Sequence, residues 1–419
     1  MDRLPEIAAA LRLAGRRFGT PVAVTDVVTL EAAAESMAAA FPDPWLRAYS
    51  IKANDVTAIV GRLGTLGFGA NVVSRGEWAI ATRAGIPNAR ITIEGIGKTD
   101  EDLRAAVRAA RTDDAPRWLA IESTDEARAL AAIAEAEIGD GSLDVLLRLN
   151  PAVVPDTTPG LAVGAAGSKF GMTADELSTA VEIVAAGRGL RPRGIHVHVG
   201  SQLRSVDAWR DAVRRALALG ALLRGSWPGF DTLDVGGGFP IMPLDEPVPG
   251  PERFVRELPG LLEGIPAARR PNRLAVEPGR ALVARAGFLV ARVLHVRERG
   301  GRQVVLDAGM AELIRPALYG ARHDVVALTS LGRAVADGSA DVRVGTHVDG
   351  PICESTDDLG AHDLPQLRRG DLVAIRDAGA YAASMASAYN GRSRPPQVFL
   401  EADGRLGAAR RRGPTATLG

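Results

Sequence analysis

Eight apolar, strand-like runs alternate with helical patterns from residue 45 to residue 280, and this alternation constrains the fold more than any other feature of the chain. The runs close at Lys52, Ser74, Gly95, Ser123, Asn150, Ser201, Gly238 and Arg280. Helical segments lie between them, among them DVTAIVGRLGTLG, TDEDLRAAVRAAR and TADELSTAVEIVAAG. Several open on Ser or Thr before an acidic first turn, which satisfies the free N–H groups of a helix start. Strands separated by helices pair in parallel, and eight such units make a (β/α)8 barrel of the TIM type. An open doubly wound sheet is the alternative. The barrel is predicted over residues 22–284. Beyond it, GFLVARVLHVRERGGRQVVLDAG reads as a hairpin about a Gly-Gly turn, and three further strand patterns follow. Residues 285–406, with 1–21 contributing, are predicted as a β domain, and 407–419 as a flexible tail.

Composition sharpens the chemistry. Net charge is zero, so no long-range positive field favours nucleic acid or an anionic membrane. The N-terminal segment reads as an amphipathic helix rather than a signal peptide. No run approaches the length needed to cross a bilayer, so a cytoplasmic protein is expected. The one cysteine, Cys353, excludes an intramolecular disulfide. Only three lysines occur, Lys52, Lys98 and Lys169, against 47 arginines. Arginine cannot form a stable imine or act as a deprotonated nucleophile. Any covalent lysine chemistry therefore falls to one of these three.

Barrel chemistry gathers at the carboxyl ends of the strands. Lys52 stands at the end of the first, whereas Lys98 and Lys169 lie in loops. Gly236, Gly237 and Gly238 follow the seventh, where barrels commonly bind phosphate through backbone N–H groups. Their spacing is not that of a dinucleotide fingerprint, and a plain tight turn is the alternative. Glu277 and Arg280 in EPGR end the eighth. A carboxylate there suits a protonated ring nitrogen of a cofactor; a Glu–Arg surface pair is the simpler reading. His196 and His198 share one strand face. They leave a metal-dependent hydrolase open as the rival class, although the other four histidines all lie in the C-terminal third. No metal site is expected. The long Gly/Pro-rich stretch at 150–171 is a candidate functional loop.

Taken in order, YSIKAN, NVVSRGEW, SKFG, GIHVHVGSQ, DVGGGFP, EPGR, LIRPALYGARHDV, GPICESTDDLG and DAGAYAASMASAYNGRSRP name a family. The chain resembles the fold-type III decarboxylases that use pyridoxal 5'-phosphate, most closely the diaminopimelate decarboxylases, from about residue 18 to about residue 400. The resemblance implies decarboxylation of meso-diaminopimelate to L-lysine and CO2. It makes Lys52, the imine-forming lysine, and His198, stacked against the cofactor ring, catalytic residues. Ser201, Gly237, Gly238, Arg280 and Tyr381 fall around the phosphate, and Glu277 at the pyridine nitrogen. Arg315 and Tyr319 become clamps on a substrate carboxylate, with Arg280 and Tyr381 adjoining. Cys353 becomes the proton donor and Glu354 the holder of the distal amino group. Both reach into a partner's site, which implies a homodimer. Asn71 and Arg75 stand where Asp and Gly are commoner, EGIGKT replaces a His/Asn segment, and the loop after the fifth strand is atypical. A paralogue acting on a related diamino or ω-carboxy amino acid is therefore the alternative.

Overall fold

The computed structural model describes residues 3–241, 247–335 and 342–414. They form two compact units, one of residues 34–241 and 247–279, the other of residues 3–33, 280–335 and 342–414.

The first unit is a closed barrel of eight parallel strands. In chain order they are Leu46–Ser50, Gly69–Val72, Ile91–Ile93, Trp118–Ile121, Leu143–Leu149, Leu190–Val197, Thr232–Asp234 and Arg273–Val276. The eighth pairs back onto the first through Leu46 and Ala275, so the open-sheet alternative is excluded. Helices cover the outside, which is why the second, third, fourth and seventh strands are buried along their whole length rather than alternating. Capping fixes where those helices start. The Ser74 and Ser123 hydroxyls accept the N–H of Glu77 and Glu126. Thr99 and Thr173 form reciprocal capping boxes with Asp102 and Glu176. Phe41, Phe239, Phe254 and Trp209 pack in a chain with centroids 5.1–5.7 Å apart. Truncating a buried aromatic of this kind costs about 3–5 kcal/mol.

The second unit is built on a mixed sheet. Gly287–Glu298 and Arg302–Leu306 form the expected hairpin, turning at Gly300 and Gly301, both at positive φ. Val22–Asp26 pairs with Gly287–Glu298 on one side and with Gln397–Leu400 on the other. That strand thus joins the β sheet, past the boundary at residue 22 suggested by the sequence. The N-terminal helix Leu4–Arg17 lays Leu4, Ile7, Leu11 and Ala14 into the core with Val22, Val290 and Val398. The predicted tail needs correction as well. Leu406–Arg410 is a strand paired antiparallel with Gln397–Leu400, its backbone satisfied by the sheet despite its weak apolar pattern. Residues 415–419 lie outside the described residues. Among the described residues no helix is long and apolar enough to cross a membrane.

Candidate active site

Every barrel strand from the second to the eighth brings a buried polar side chain to its carboxyl end. They are Asn71, Glu94, Glu122, Arg148, His196, Asp234 and Glu277. Lys52 sits in the short turn Ile51–Ala53 immediately after the first strand. Burying so many polar groups is costly unless they satisfy one another. Two subsets do so differently.

Glu122 and Arg148 form an ion pair of 2.6 Å, and Glu122 also accepts the Gly171 N–H at 3.1 Å. Arg148 keeps the Glu122 carboxyl below its ordinary value despite burial. The guanidinium stacks on Phe170, 4.8 Å from the ring centroid. Asn150 completes the hold on the long loop by donating to the carbonyls of Ala165 and Phe170. Lys169 also lies against Phe170, so its place is on this loop and not among the strand-end groups. Lys98 is accounted for too. It pairs with half-buried Glu126 at 3.0 Å and donates to the Gly95 carbonyl.

The other subset centres on Glu277. Its Oε1 accepts a hydrogen bond from Asn71 Nδ2 at 3.0 Å and lies 3.5 Å from His196 Nε2. The same imidazole nitrogen is 3.4 Å from Glu94 Oε2. Burial, then the Glu277 charge, pushes the Glu94 carboxyl up to about 8. Asp234 accepts the Gly236 N–H at 2.9 Å, and burial followed by Glu277 and Glu94 raises it well above the ordinary range. Burial depresses His196 to about 4, so it is neutral. Glu94, His196 and Glu277 approach closely enough to resemble a metal set, but His198 does not join them. The H-x-H pair therefore diverges in function. His198 Nδ1 accepts the Gly237 N–H at 3.2 Å, which fixes its proton on Nε2. Burial, then Lys52, holds its pKa well below the ordinary value.

The glycine run is shaped by close approach. Gly236 and Gly238 have φ of +68° and +107°. A Cβ on Gly237 would lie 2.3 Å from the Glu277 carbonyl oxygen. The Gly236 and Gly237 amides serve Asp234 and His198 inside the protein, so the expectation that Gly237 offers its N–H to a phosphate does not match its hydrogen bonding. Ser201 lies on the adjoining loop, its carbonyl accepting from Thr157.

The β unit holds the remaining candidates. Arg280 lies over the Tyr381 ring at 4.6 Å, and Tyr381 adopts φ of +58°, rare for an aromatic residue. Arg315 and Tyr319 begin and end the one-turn helix Arg315–Tyr319, and residues four apart share a face. Buried Arg315 donates to His323 Nε2 at 2.7 Å, while His323 Nδ1 donates to the Arg376 carbonyl at 2.9 Å. Burial and neighbouring Arg280 lower Arg315 to about 10, and burial with Arg315 lowers His323 to about 4. A guanidinium fork matches the two oxygens of a carboxylate or phosphate. Cys353 and Glu354 are exposed on a loop that Asp357 pins by accepting the N–H groups of Met310 and Ile352. Asn390 reaches Cys353 Sγ at 3.6 Å, and the Tyr389 hydroxyl donates to Glu354.

Asn71, Glu94, Glu122, Arg148 and Asp234 in the barrel, with His323, Tyr389 and Asn390 in the β unit, were not among the expected site residues. The strand-end rule applied to the first five as well as to Lys52. The others fall within the motifs LIRPALYGARHDV and DAGAYAASMASAYNGRSRP, where nothing sets them apart from their neighbours.

The groups at the barrel mouth suit pyridoxal phosphate. There is a primary amine at Lys52, a carboxylate already directed by Asn71 at Glu277, and a neutral imidazole at His198. Comparisons with known proteins agree. Residues 27–284 match the family model described as pyridoxal-dependent decarboxylase, pyridoxal binding domain. Diaminopimelate decarboxylase of Aquifex aeolicus is 35% identical over 94% of this chain and 89% of its own length. That of Pseudomonas aeruginosa is also 35% identical, over 94% and 91%. The structure of the Helicobacter pylori diaminopimelate decarboxylase complexed with L-lysine superposes with a TM-score of 0.86, at 29% identity, over 96% of this chain and 97% of that one. The lysine/ornithine decarboxylase of Vibrio vulnificus shares the fold, with a TM-score of 0.78 at 22% identity. The strand-end residues, the two-unit fold and these matches agree on one assignment: the chain belongs to the pyridoxal-dependent decarboxylases.

Proposed function

We propose that this enzyme decarboxylates meso-diaminopimelate to L-lysine and CO2, using pyridoxal 5'-phosphate bound at the barrel mouth. The observation that carries the reading is Glu277, a buried carboxylate oriented by Asn71 at the end of the eighth strand. When bound, the cofactor supplies an electron sink for the pair left behind as CO2 departs. Glu277 would keep the ring nitrogen protonated. Lys52 would hold the cofactor covalently through Nζ and return to release the product. His198 would lie flat on the ring. Ser201, Gly237, Gly238, Arg280 and Tyr381 would surround the phosphate, with Gly237 acting through its shape rather than its amide. Arg315 and Tyr319, beside Arg280 and Tyr381, would take the substrate's carboxylate, the guanidinium fork matching two oxygens. The Cys353 thiol would deliver the proton that replaces CO2, and Glu354 would hold the distal ammonium.

Cys353 and Glu354 would act in the site of a second copy, making the working form a homodimer. The exposed single thiol suits a reducing, cytoplasmic compartment. The test is CO2 release from meso-diaminopimelate, ornithine, lysine and arginine by wild type and Lys52→Ala. Wild type turns over meso-diaminopimelate and shows the visible absorbance of bound cofactor; Lys52→Ala loses both. Activity on ornithine alone sinks the substrate, and visible absorbance persisting in Lys52→Ala sinks the role of Lys52. Glu94, in the segment that departs from the family pattern, favours a second reading, a paralogue for a related diamino or ω-carboxy amino acid. The same panel, widened to glutamate derivatives, separates the two.

A further inference from the structure

Glu94 has no role in the chemistry above, yet it is buried against the carboxylate on which that chemistry depends. Glu94, Glu277 and His196 are only 4%, 4% and 1% exposed. Their ligand atoms all lie within 4.8 Å of one another. His196 Nε2 flanks the carboxyls, 3.4 Å from one and 3.5 Å from the other, and the two carboxyls are close enough to hydrogen-bond directly. Two ionised carboxylates around a neutral imidazole, away from water, would repel strongly, so the pair must hold a proton. Geometry decides which carboxyl carries it. Asn71 donates to Glu277 at 3.0 Å, and a donor of this kind favours the ionised form. Glu94 receives no such donor, and its Oε1 is buried with no hydrogen-bond partner. A protonated carboxyl turns one acceptor into a donor, which a neighbouring carboxylate can use.

We propose that Glu94 is a positioning residue that keeps its acid proton and donates it as a hydrogen bond to Glu277, so that Glu277 alone carries the negative charge facing the cofactor's ring nitrogen. Four other groups bear on this arrangement. Glu277 and His196 flank Glu94 directly, Lys52 draws Glu94 toward ionisation, and Asp234 crowds Glu277 from the seventh strand. The direction of the Glu94 shift agrees with the geometry. Because the carboxyls are coupled, the proton leaves the pair in a macroscopic step on the alkaline side of neutrality.

The proposal rests on Glu277 facing the ring nitrogen, and the experiment separates the two claims. The visible absorbance of wild-type, Glu94→Gln, Glu94→Leu and Glu277→Gln holoenzymes is titrated from pH 6 to pH 10, with kcat and KM measured on the same samples. Wild type shows an alkaline transition in the cofactor band. Glu94→Gln, which still donates through its amide, loses that transition and keeps kcat within about threefold. Glu94→Leu, with no donor, shifts the band at neutral pH and loses at least about tenfold in kcat with KM changed less than about threefold. An unchanged transition in Glu94→Gln, or wild-type spectrum and kcat in Glu94→Leu, overturns the proposal. Should Glu94→Leu melt early, the Glu94→Gln titration decides alone. A wild-type spectrum in Glu277→Gln would instead remove the reading on which the proposal stands.

Discussion

Replacing Lys98 with Met should destabilise the barrel by about 5 kcal/mol at pH 7.5 and by about half that at pH 5.5. The Lys98 side chain is 2% exposed and its partner Glu126 13%, with 3.0 Å between Nζ and Oε1. At an effective dielectric of about 20, opposite charges at that distance attract by about 5 kcal/mol. Deleting one member of a buried pair costs about 3–5 kcal/mol, because the other charge is left uncompensated. Glu126 has one escape, which is to protonate. From an ordinary value of 4.5, that costs about 1.4 kcal/mol per pH unit, so about 4 kcal/mol at pH 7.5 and about 1.4 at pH 5.5. The deficit is therefore capped, and the cap falls with pH. The hydrogen bond to Gly95 adds about 1 kcal/mol at both. Urea unfolding followed by tryptophan fluorescence reads the right unit, since Trp45, Trp78, Trp118, Trp209 and Trp227 all lie in the barrel. Adding Glu126→Gln should recover most of the loss at pH 7.5. A Lys98→Met deficit under 1 kcal/mol at pH 7.5, or one independent of pH, refutes the reasoning.

Two other perturbations probe the site. His323 titrates at about 4 when folded against about 6.5 unfolded. Between those values the unfolded chain binds a proton that the folded one refuses, so stability falls as pH drops. The loss is about 2 kcal/mol from pH 7.5 to pH 5. His323→Gln should remove that much of the pH dependence of the far-ultraviolet circular dichroism transition, and equal pH dependence in both proteins would contradict this. Gly237→Ala forces a Cβ to 2.3 Å from the Glu277 carbonyl oxygen and should cost about 1–3 kcal/mol in thermal unfolding, with cofactor binding weakened. Gly97→Ala, whose Cβ would meet nothing within 4 Å, is the control and should stay near wild type.

The barrel was legible because its signal is repetitive. Eight apolar runs and their capped helices agree with one another, and local agreement of that kind points to a single fold. Lys52 and Glu277 followed from the rule that chemistry sits at strand ends. Glu94, Glu122, Arg148 and Asp234 obey the same rule, but which side chains turn inward depends on where each strand stops. Glu94 and Glu122 lie one residue past their strands, while Arg148 and His196 lie within theirs. A one-residue error in the boundary reverses the face. The pairs Cys353–Asn390 and Glu354–Tyr389 join positions 37 and 35 residues apart, and no local pattern announces them. The strand Leu406–Arg410 was missed because its partner, not its composition, holds it in place.

The amide of Gly237 settles what kind of group His198 is. Its ring keeps a lone pair only at Nδ1, and that lone pair is already occupied by a backbone hydrogen. To accept a proton from a substrate, the imidazole would have to surrender the contact that holds the glycine turn. Burial and the nearby Lys52 charge oppose the resulting cation as well. His198 is thereby withdrawn from acid–base duty and kept as a rigid, uncharged wall.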